Sequence, residues 1–324
     1  MLTLLCSPKP FVGEAAWNQI NALRSWSSIH PEVEIIIFGA PEGTMAAAAE
    51  VGAKVVSEFE TSASGAPSFN AMVAYADQHG KYDQIVYANC DILLNATMLR
   101  AMQLAQQRFG RFLLVGERLD LAEGSIMDVR QPNWTDSLVG LVAEGKLTAH
   151  GPTGADYFGF VRDMWAGLPP VFMGRAMCDQ ALLHYCLRHR SPAIDGTLAV
   201  VNVHQYHGYQ HVAGGKQQVF AGEDRVTMAQ AHGLRRSLPT VADADWRLEQ
   251  PGALLPDRKR RHPLRRLELQ LRYARRSEAA ATAIRVLQYL FGKRSISTCQ
   301  WSAEMVVSSW QQAVHQGSDH SQCL

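Results

Sequence analysis

Short apolar runs alternate with amphipathic helical segments along the first 115 residues, and this alternation limits the fold more than any other feature of the sequence. The apolar runs predict strands at residues 2–6, 33–38, 53–56, 84–88 and 112–115, and the segments between them predict helices at 15–27, 43–52, 68–79 and 95–108. Strands that are apolar throughout and separated by helices are typical of a parallel sheet covered on both faces. We therefore expect a three-layer α/β/α, mostly parallel, Rossmann-like sheet.

The pattern is less regular after residue 117. An aromatic run at residues 157–161 and an apolar run at 198–203 predict two further strands, and residues 176–188 predict a helix. In open α/β sheets, ligands bind outside the carboxyl ends of the strands. The residues that follow each predicted strand are therefore the first candidates for a functional site.

Charge divides the chain into two parts. Residues 1–222 carry 15 basic and 20 acidic side chains, whereas residues 223–324 carry 16 basic and 10 acidic ones. Nine of the basic residues lie between positions 258 and 276, beside leucines at helical spacing. We expect an α/β domain at residues 1–222 and a basic, mainly helical extension at residues 223–324.

The basic extension has more than one interpretation. A solvated helix that covers its own domain, a segment that contacts an anionic membrane surface and a segment that binds another partner all fit the pattern. Aromatic residues are not interleaved with the basic ones, so no nucleic-acid partner is expected.

The chain is expected to act in a reducing compartment. No apolar stretch approaches the roughly 20 residues of a spanning helix. None of the six cysteines forms a C-x-x-C pair, and Pro8 and Pro10 interrupt the start of the chain too early for a signal peptide. These features predict a cytoplasmic location, with peripheral contact at the inner face of the membrane as an open alternative.

The first candidate motif is Asn89-Cys90-Asp91, directly after the predicted strand at 84–88. A carboxylate at the end of a buried strand is costly unless it binds something, such as a metal ion or a sugar hydroxyl. The alternative is that Asp91 caps the following turn through its side chain.

A second motif is Gly174-Arg175-Ala176-Met177-Cys178-Asp179, at the start of a predicted helix. The helix dipole favours a carboxylate there, so Asp179 is either an N-terminal cap or a functional acid. Arg175 can pair with a phosphate or with a neighbouring carboxylate.

Two further segments carry polar residues near the predicted site. Residues 204–211 contain His204, His207 and His211 directly after an apolar run, and imidazole suits a divalent transition metal. The alternative is a polar, partly exposed loop. Asp156 leads into the aromatic run, where it is placed to hydrogen-bond a sugar.

The sequence has no P-loop, no G-x-G-x-x-G after the first strand and no G-x-S-x-G.

Together these motifs resemble the nucleotide-diphospho-sugar transferase superfamily, the glycosyltransferases of the GT-A fold. The resemblance covers roughly residues 1–215 and extends to an uncharacterised group of bacterial and plant proteins. It is carried by residues 6–11, 21–26, 89–93, 156–160, 174–179 and 204–211.

The resemblance implies a role for each motif. In that superfamily a D-x-D motif binds the sugar nucleotide and Mn²⁺ or Mg²⁺, and its last acid, here Asp91, contacts the metal. Asn89 stands at the first position, where it removes one charge but can still bind the ribose. A late histidine, His204 or its rival His207, completes the metal site, and the acid at the helix start, Asp179, is the catalytic base of inverting members.

The remaining implied contacts surround the nucleotide sugar. The first loop commonly holds the base and ribose, which indicates Ser7, Pro8 and Lys9, and the other nucleotide-sugar-binding candidates are Asp156, Gly174 and Arg175. The predicted function is metal-assisted transfer of a sugar from a nucleotide-diphosphate donor to an unknown acceptor. A catalytically degenerate binding or scaffold protein and a sugar-phosphate nucleotidyltransferase are the alternatives.

Overall fold

The computed structural model describes residues 1–131, 133–208, 215–234, 238–249, 252–257, 263–274, 277–290 and 301–320. In these ranges the strands are β1 (Leu2–Cys6), β2 (Glu34–Phe38), β3 (Lys54–Val56), β4 (Gln84–Ala88), β5 (Ile92–Leu93), β6 (Leu113–Val115), β7 (Leu119–Leu121), β8 (Leu147–Ala149), β9 (Tyr157–Val161), β10 (Ala193–Asp195), β11 (Val203–His204), β12 (Trp246–Glu249) and β13 (Ala253–Pro256). The helices are α1 (Gly13–Ser27), α2 (Thr44–Val51), α3 (Phe69–His79), α4 (Thr97–Arg108), α5 (Ser137–Ala143), α6 (Cys178–His189), α7 (Gly215–Ala221), α8 (Glu223–Ala231), α9 (Pro263–Leu269), α10 (Glu278–Leu290) and α11 (Ala303–His320).

A nine-stranded sheet forms the centre of the molecule, with the order β13-β12-β10-β6-β9-β4-β1-β2-β3. The neighbours β4, β1, β2 and β3 are parallel, and so are β6, β10 and β12. Strand β9 runs antiparallel between β4 and β6, and β13 is antiparallel at one edge. The sheet is thus mostly parallel, as the alternation of strands and helices predicts.

Helices cover both faces of this sheet. Alternate residues of each strand point to opposite sides, so both faces carry side chains that the helices bury. Leu4 of β1 packs on the face covered by α1 and α4, where Trp26 is fully buried. Leu5, the next residue, packs on the opposite face with Phe69 of α3 and Leu182 of α6. The prediction of a three-layer α/β/α architecture is confirmed.

A second, four-stranded sheet has the order β5-β11-β7-β8. Its strand β11 pairs antiparallel with β5, which sets His204 opposite Ile92, and parallel with β7, which sets His204 opposite Asp120. This short pairing brings a residue from late in the chain beside Asp91, which directly precedes β5.

The apolar run at 198–203 is a buried turn rather than a strand, and the prediction there is wrong except at Val203. The backbone N–H groups of Ala199 and Val200 both donate to the carbonyl of Gly196, which bends the chain. The run is apolar because the turn is enclosed by helices: Val201 donates to Thr97 of α4 and is fully buried.

The extension contains α8 to α11, and it also supplies β12 and β13 to the large sheet. Its last helix, α11, docks through Trp310, whose indole N–H donates to the carbonyl of Thr197. The boundary at residue 222 stays a prediction.

Arg265 and Arg272, the clustered basic residues whose side chains the structure describes, are ion-paired within the protein. Arg265 donates to Asp243 at 2.7 Å and to Glu268 at 2.9 Å, and Arg272 donates to Glu268 at 3.3 Å. Arg258, Lys259, Arg260, Arg261, Arg275 and Arg276 lie outside the described residues. Among the helices in the described ranges, none has the length and apolar character needed to span a bilayer. Contact with an anionic membrane surface stays a prediction.

Replacing Trp310 by alanine tests whether the last helix belongs to the core. Trp310 is 1% exposed. We expect Trp310→Ala to lower the free energy of unfolding by about 3–5 kcal/mol, because a large buried side chain is lost and a cavity remains. Urea denaturation measures the change. Met305→Ala, at an exposed position of the same helix, serves as the control and is expected to change stability by less than about 0.5 kcal/mol. Equal stabilities of the two variants would show that α11 contributes nothing to the core.

Candidate active site

A cavity of about 1250 Å³ opens where the central parallel strands end. This volume suits a ligand at least as large as those held in ordinary small-molecule pockets. The cavity is lined by each of the residues that the sequence singles out as nucleotide, metal or catalytic candidates: Ser7, Pro8, Lys9, Asn89, Asp91, Asp156, Gly174, Arg175, Asp179, His204 and His207. The predicted site residues therefore share one cavity, whereas His211 lies outside the described residues.

Asp91 is buried at the base of the cavity, between β4 and β5, with 6% of its surface exposed. One oxygen, Oδ2, lies 3.0 Å from the Lys9 ammonium and 3.1 Å from His207 Nε2. Lys9 Nζ and His207 Nε2 are themselves 3.1 Å apart. Gln19 fixes the main chain of Lys9, because its side chain accepts from the Lys9 N–H at 2.6 Å and donates to the Lys9 carbonyl at 3.0 Å.

The cationic neighbours determine the ionisation of Asp91. Burial alone disfavours the charged carboxylate, but the positive charge of Lys9 and the hydrogen bond with His207 outweigh it, and they hold the pKa of Asp91 well below 3.8. For His207, burial favours the neutral ring, but the hydrogen bond to Asp91 and its charge raise the pKa of the imidazole. Asp91 is thus an ionised carboxylate that is surrounded by positive charge.

His204 approaches the same place from the small sheet. Its Nδ1 is bonded to Asp120 Oδ1 at 3.1 Å, so Nε2 is the nitrogen with which it can bind a cation. Ligand atoms of Asp91, His204 and His207 all lie within 4.8 Å of one another. One carboxylate and two imidazoles are a donor set that suits Mn²⁺ and similar ions. The residues therefore fit a divalent cation, although Lys9 Nζ now lies beside two of the three ligands.

Asp120 is a site residue that the sequence motifs do not reveal. It also accepts from Arg118 Nε at 2.7 Å and bonds His150 Nδ1 at 2.7 Å. Burial raises the pKa of Asp120, but the hydrogen bonds with His150 and His204 and the charge of Arg118 lower it by more, so it is held well below 3.8. The carboxylate stays ionised and orients His204.

Asn89 and Asp156 form a pair at the centre of the cavity wall. Asn89 Nδ2 donates to Asp156 Oδ1 at 2.6 Å, and the Asn89 N–H donates to the Asp156 carbonyl at 2.9 Å. The other carboxylate oxygen, Oδ2, accepts from Arg118. Asp156, which the sequence predicts to bind a sugar, is therefore bonded to Asn89 and Arg118 and holds them in place.

Arg175 is paired with a carboxylate, one of the two alternatives that its sequence context allows. Its Nε lies 3.2 Å from Asp224 Oδ2, and it also donates to Ser64 at 3.2 Å. Gly174, before it, has φ of +70°, a conformation that favours glycine. The ion pair with Asp224 of α8 fixes this loop at the cavity.

Asp179 lies half-buried in the first turn of α6, in the wall of the same cavity. Burial and the negative charge of Asp156 raise the pKa of Asp179, and they outweigh the lowering effect of backbone N–H groups such as that of Gln180, so that the pKa is about 7. Met177, two residues earlier, has φ of +80°, a strained conformation that is uncommon for a residue other than glycine. A carboxyl group with a pKa near neutrality can accept a proton from a ligand.

Three of the site residues that the sequence motifs miss are Arg118, Asp120 and His150. The first two follow the predicted strand at 112–115, so their place at a strand end was a usable signal. His150 has no such signal, because only the pairing of β7 with β8 brings it beside Asp120.

The raised pKa of Asp179 predicts a pH-dependent loss of stability. The folded protein keeps a proton up to about pH 7 that the unfolded chain loses near 3.8. Stability of the wild type relative to Asp179→Asn, which mimics the protonated form, is therefore expected to decrease as the pH rises from about 4 to about 7 and to become constant above it. Urea denaturation across this range measures the difference, with the exposed Asp136→Asn as the control. A difference that does not vary with pH would show that the pKa of Asp179 is not raised.

Comparison with known proteins gives distant similarities in structure. No protein-family model matches the chain, and no curated protein matches its sequence. Glucosyl-3-phosphoglycerate synthase from Mycobacterium tuberculosis, solved with Mn²⁺, uridine-diphosphate-glucose and phosphoglyceric acid, is 15% identical over 73% of this chain and 81% of its own, with a TM-score of 0.43. A second structure of that enzyme, with Mn²⁺, uridine-diphosphate and glucosyl-3-phosphoglycerate, is 14% identical over 79% of this chain and 86% of its own, with a TM-score of 0.44.

The similarity to a third structure is shorter. TarS residues 1–349 from S. aureus, solved with UDP-GlcNAc, is 13% identical over 39% of this chain, with a TM-score of 0.29, and this chain spans only 36% of it. All three similarities are distant, with at most 15% identity to this chain.

Proposed function

We propose that the protein transfers a sugar from a nucleotide-diphosphate sugar to a hydroxyl group of an acceptor. The observation that carries this proposal is the presence of two differently tuned carboxylates in one large cavity. Asp91 is held ionised among Lys9, His204 and His207, whereas Asp179 has a pKa of about 7. Such a pair suits a reaction that needs a charged leaving group neutralised and a proton removed.

The diphosphate of the donor is proposed to lie against the cationic cluster at Asp91. The Lys9 ammonium offers positive charge and N–H donors to phosphate oxygens. A divalent cation such as Mn²⁺ or Mg²⁺, held by Asp91, His204 and His207, would stabilise the charge that develops on the departing diphosphate. Asp120 positions His204 for this role through the bond to Nδ1.

The sugar nucleotide is proposed to extend from this cluster along the strand ends. Ser7 and Pro8, in the loop after β1, and the Asn89 amide, held by Asp156, lie on the cavity wall beside the cluster. Gly174 leaves the backbone open at the cavity, and Arg175, paired with Asp224, fixes the loop that leads into the helix of Asp179. These residues would bind the base, the ribose and the sugar of the donor.

Asp179 is proposed as the base that removes the proton of the acceptor hydroxyl. Burial and the charge of Asp156 favour its protonated form, which makes the ionised carboxylate a stronger base than an exposed aspartate. It would take the proton as the bond between the sugar carbon and the acceptor oxygen forms and the bond to the diphosphate breaks.

A panel of UDP-, GDP-, CDP- and dTDP-sugars, each with and without Mn²⁺, tests donor binding by thermal shift. A ligand at 100 times its dissociation constant adds about 2.7 kcal/mol to stability. We expect one nucleotide to raise the melting temperature, and we expect the Mn²⁺-dependent part of the shift to disappear in Asp91→Ala. The exposed Asp136→Ala serves as the control and keeps the shift. A protein that responds to no donor would not be a nucleotide-sugar enzyme of this kind.

Asp179→Asn tests the proposed base. We expect release of nucleoside diphosphate from the donor to fall by about 10²–10⁴-fold, because the amide cannot accept the proton. The thermal shift with the same donor is expected to stay, since Asp179 is not part of the cationic cluster. Asp136→Asn is the matched control. Release at the wild-type rate in Asp179→Asn would remove Asp179 from the chemistry, and bound donor with no turnover in the wild type would favour a binding or scaffold protein.

A further inference from the structure

We infer that the ammonium group of Lys9 and a divalent cation compete for one place beside Asp91, so that Lys9 controls metal binding. This inference rests on the metal site of the proposed function. It follows from a distance, because Lys9 Nζ lies 3.0 Å from Asp91 Oδ2 and 3.1 Å from His207 Nε2, two of the three atoms that would hold the metal.

The charges at the cluster make the two cations alternatives. Asp91 supplies one negative charge, and it is buried, so water screens it little. The Lys9 ammonium already neutralises that charge. A divalent cation added at the same carboxylate oxygen would meet a positive charge at hydrogen-bond distance from its own ligands. The metal therefore binds well only when the Lys9 ammonium moves away.

The construction of the loop allows the ammonium to move while the backbone stays. The reciprocal hydrogen bonds with Gln19 fix the main chain of Lys9, whereas its side chain is 23% exposed and reaches the cavity. A lysine has a flexible four-carbon stem that can present its charge in several directions. The displaced ammonium would stay in the cavity, where a diphosphate offers it a new partner.

This exchange couples metal binding to nucleotide binding. A nucleoside diphosphate that draws Lys9 away from Asp91 frees the place for the metal, and the metal in turn frees Lys9 for the phosphates. Because coupling between two ligands is reciprocal, each is expected to raise the affinity for the other. Without a nucleotide, Lys9 keeps the affinity for the metal low.

Mn²⁺ binding to the full chain tests the competition without any nucleotide, sugar or acceptor. Electron paramagnetic resonance of free Mn²⁺ gives the dissociation constant for the wild type and for Lys9→Met, which keeps an unbranched stem and loses the charge. We expect Lys9→Met to bind Mn²⁺ at least about tenfold more tightly. Lys146→Met, at an exposed position with the same change in net charge, is the control and is expected to match the wild type. Equal or weaker binding by Lys9→Met, or no binding by either protein, would overturn the inference.

Amine acylation of the wild type provides a second measurement that needs no variant. Peptide mass spectrometry follows the reaction of an N-hydroxysuccinimide ester with Lys9 and with Lys146. We expect saturating Mn²⁺ to increase acylation of Lys9 and to leave that of Lys146 unchanged, because the metal releases the Lys9 ammonium from Asp91. No increase at Lys9 would contradict the competition. Both measurements stay valid if the protein transfers no sugar, so the two proposals can fail separately.

Discussion

The cost of burying a charged carboxylate governs the functional end of this protein. Asp91 lies at the end of a central strand with 6% of its surface exposed, yet its pKa is well below 3.8. A buried carboxylate can remain ionised only if cations and hydrogen-bond donors surround it. They come from distant parts of the chain: Lys9 from the loop after β1, and His204 and His207 from beyond residue 200. The small sheet is needed for this site because its strand β11 ends at His204, and His207 follows three residues later.

Much of the fold could be predicted from local pattern. Strands β1 and β4 were predicted at their observed bounds, and helices α1 to α4 within two residues at either end, because apolar runs and helical spacing report burial directly. The antiparallel direction of β9 and its place between β4 and β6 could not be predicted, since strand order depends on contacts between distant segments. The strand prediction at 198–203 was wrong because a buried turn and a buried strand both need apolar residues.

The residues that line the site were easier to predict than the residues with which they form hydrogen bonds and ion pairs. The strand-end rule placed Ser7, Lys9, Asn89 and Asp91 at one edge of the sheet, and all of them line the cavity. Partners of charged side chains depend on the tertiary structure. Arg175 forms its ion pair with Asp224, which lies 49 residues later in the chain. His150 likewise joins Arg118 and Asp120 only because β7 pairs with β8.

The two carboxylates show how one residue type acquires opposite properties in a single cavity. For both Asp91 and Asp179, burial is the largest influence, and it raises the pKa. At Asp91 the ammonium of Lys9 and two imidazoles reverse that effect, whereas at Asp179 the negative charge of Asp156 adds to it. Arg118 is bonded to Asp156 and Asp120, so its charge is committed to those two carboxylates. The placement of a few cations therefore decides which aspartate is a permanent anion and which can exchange a proton near neutral pH.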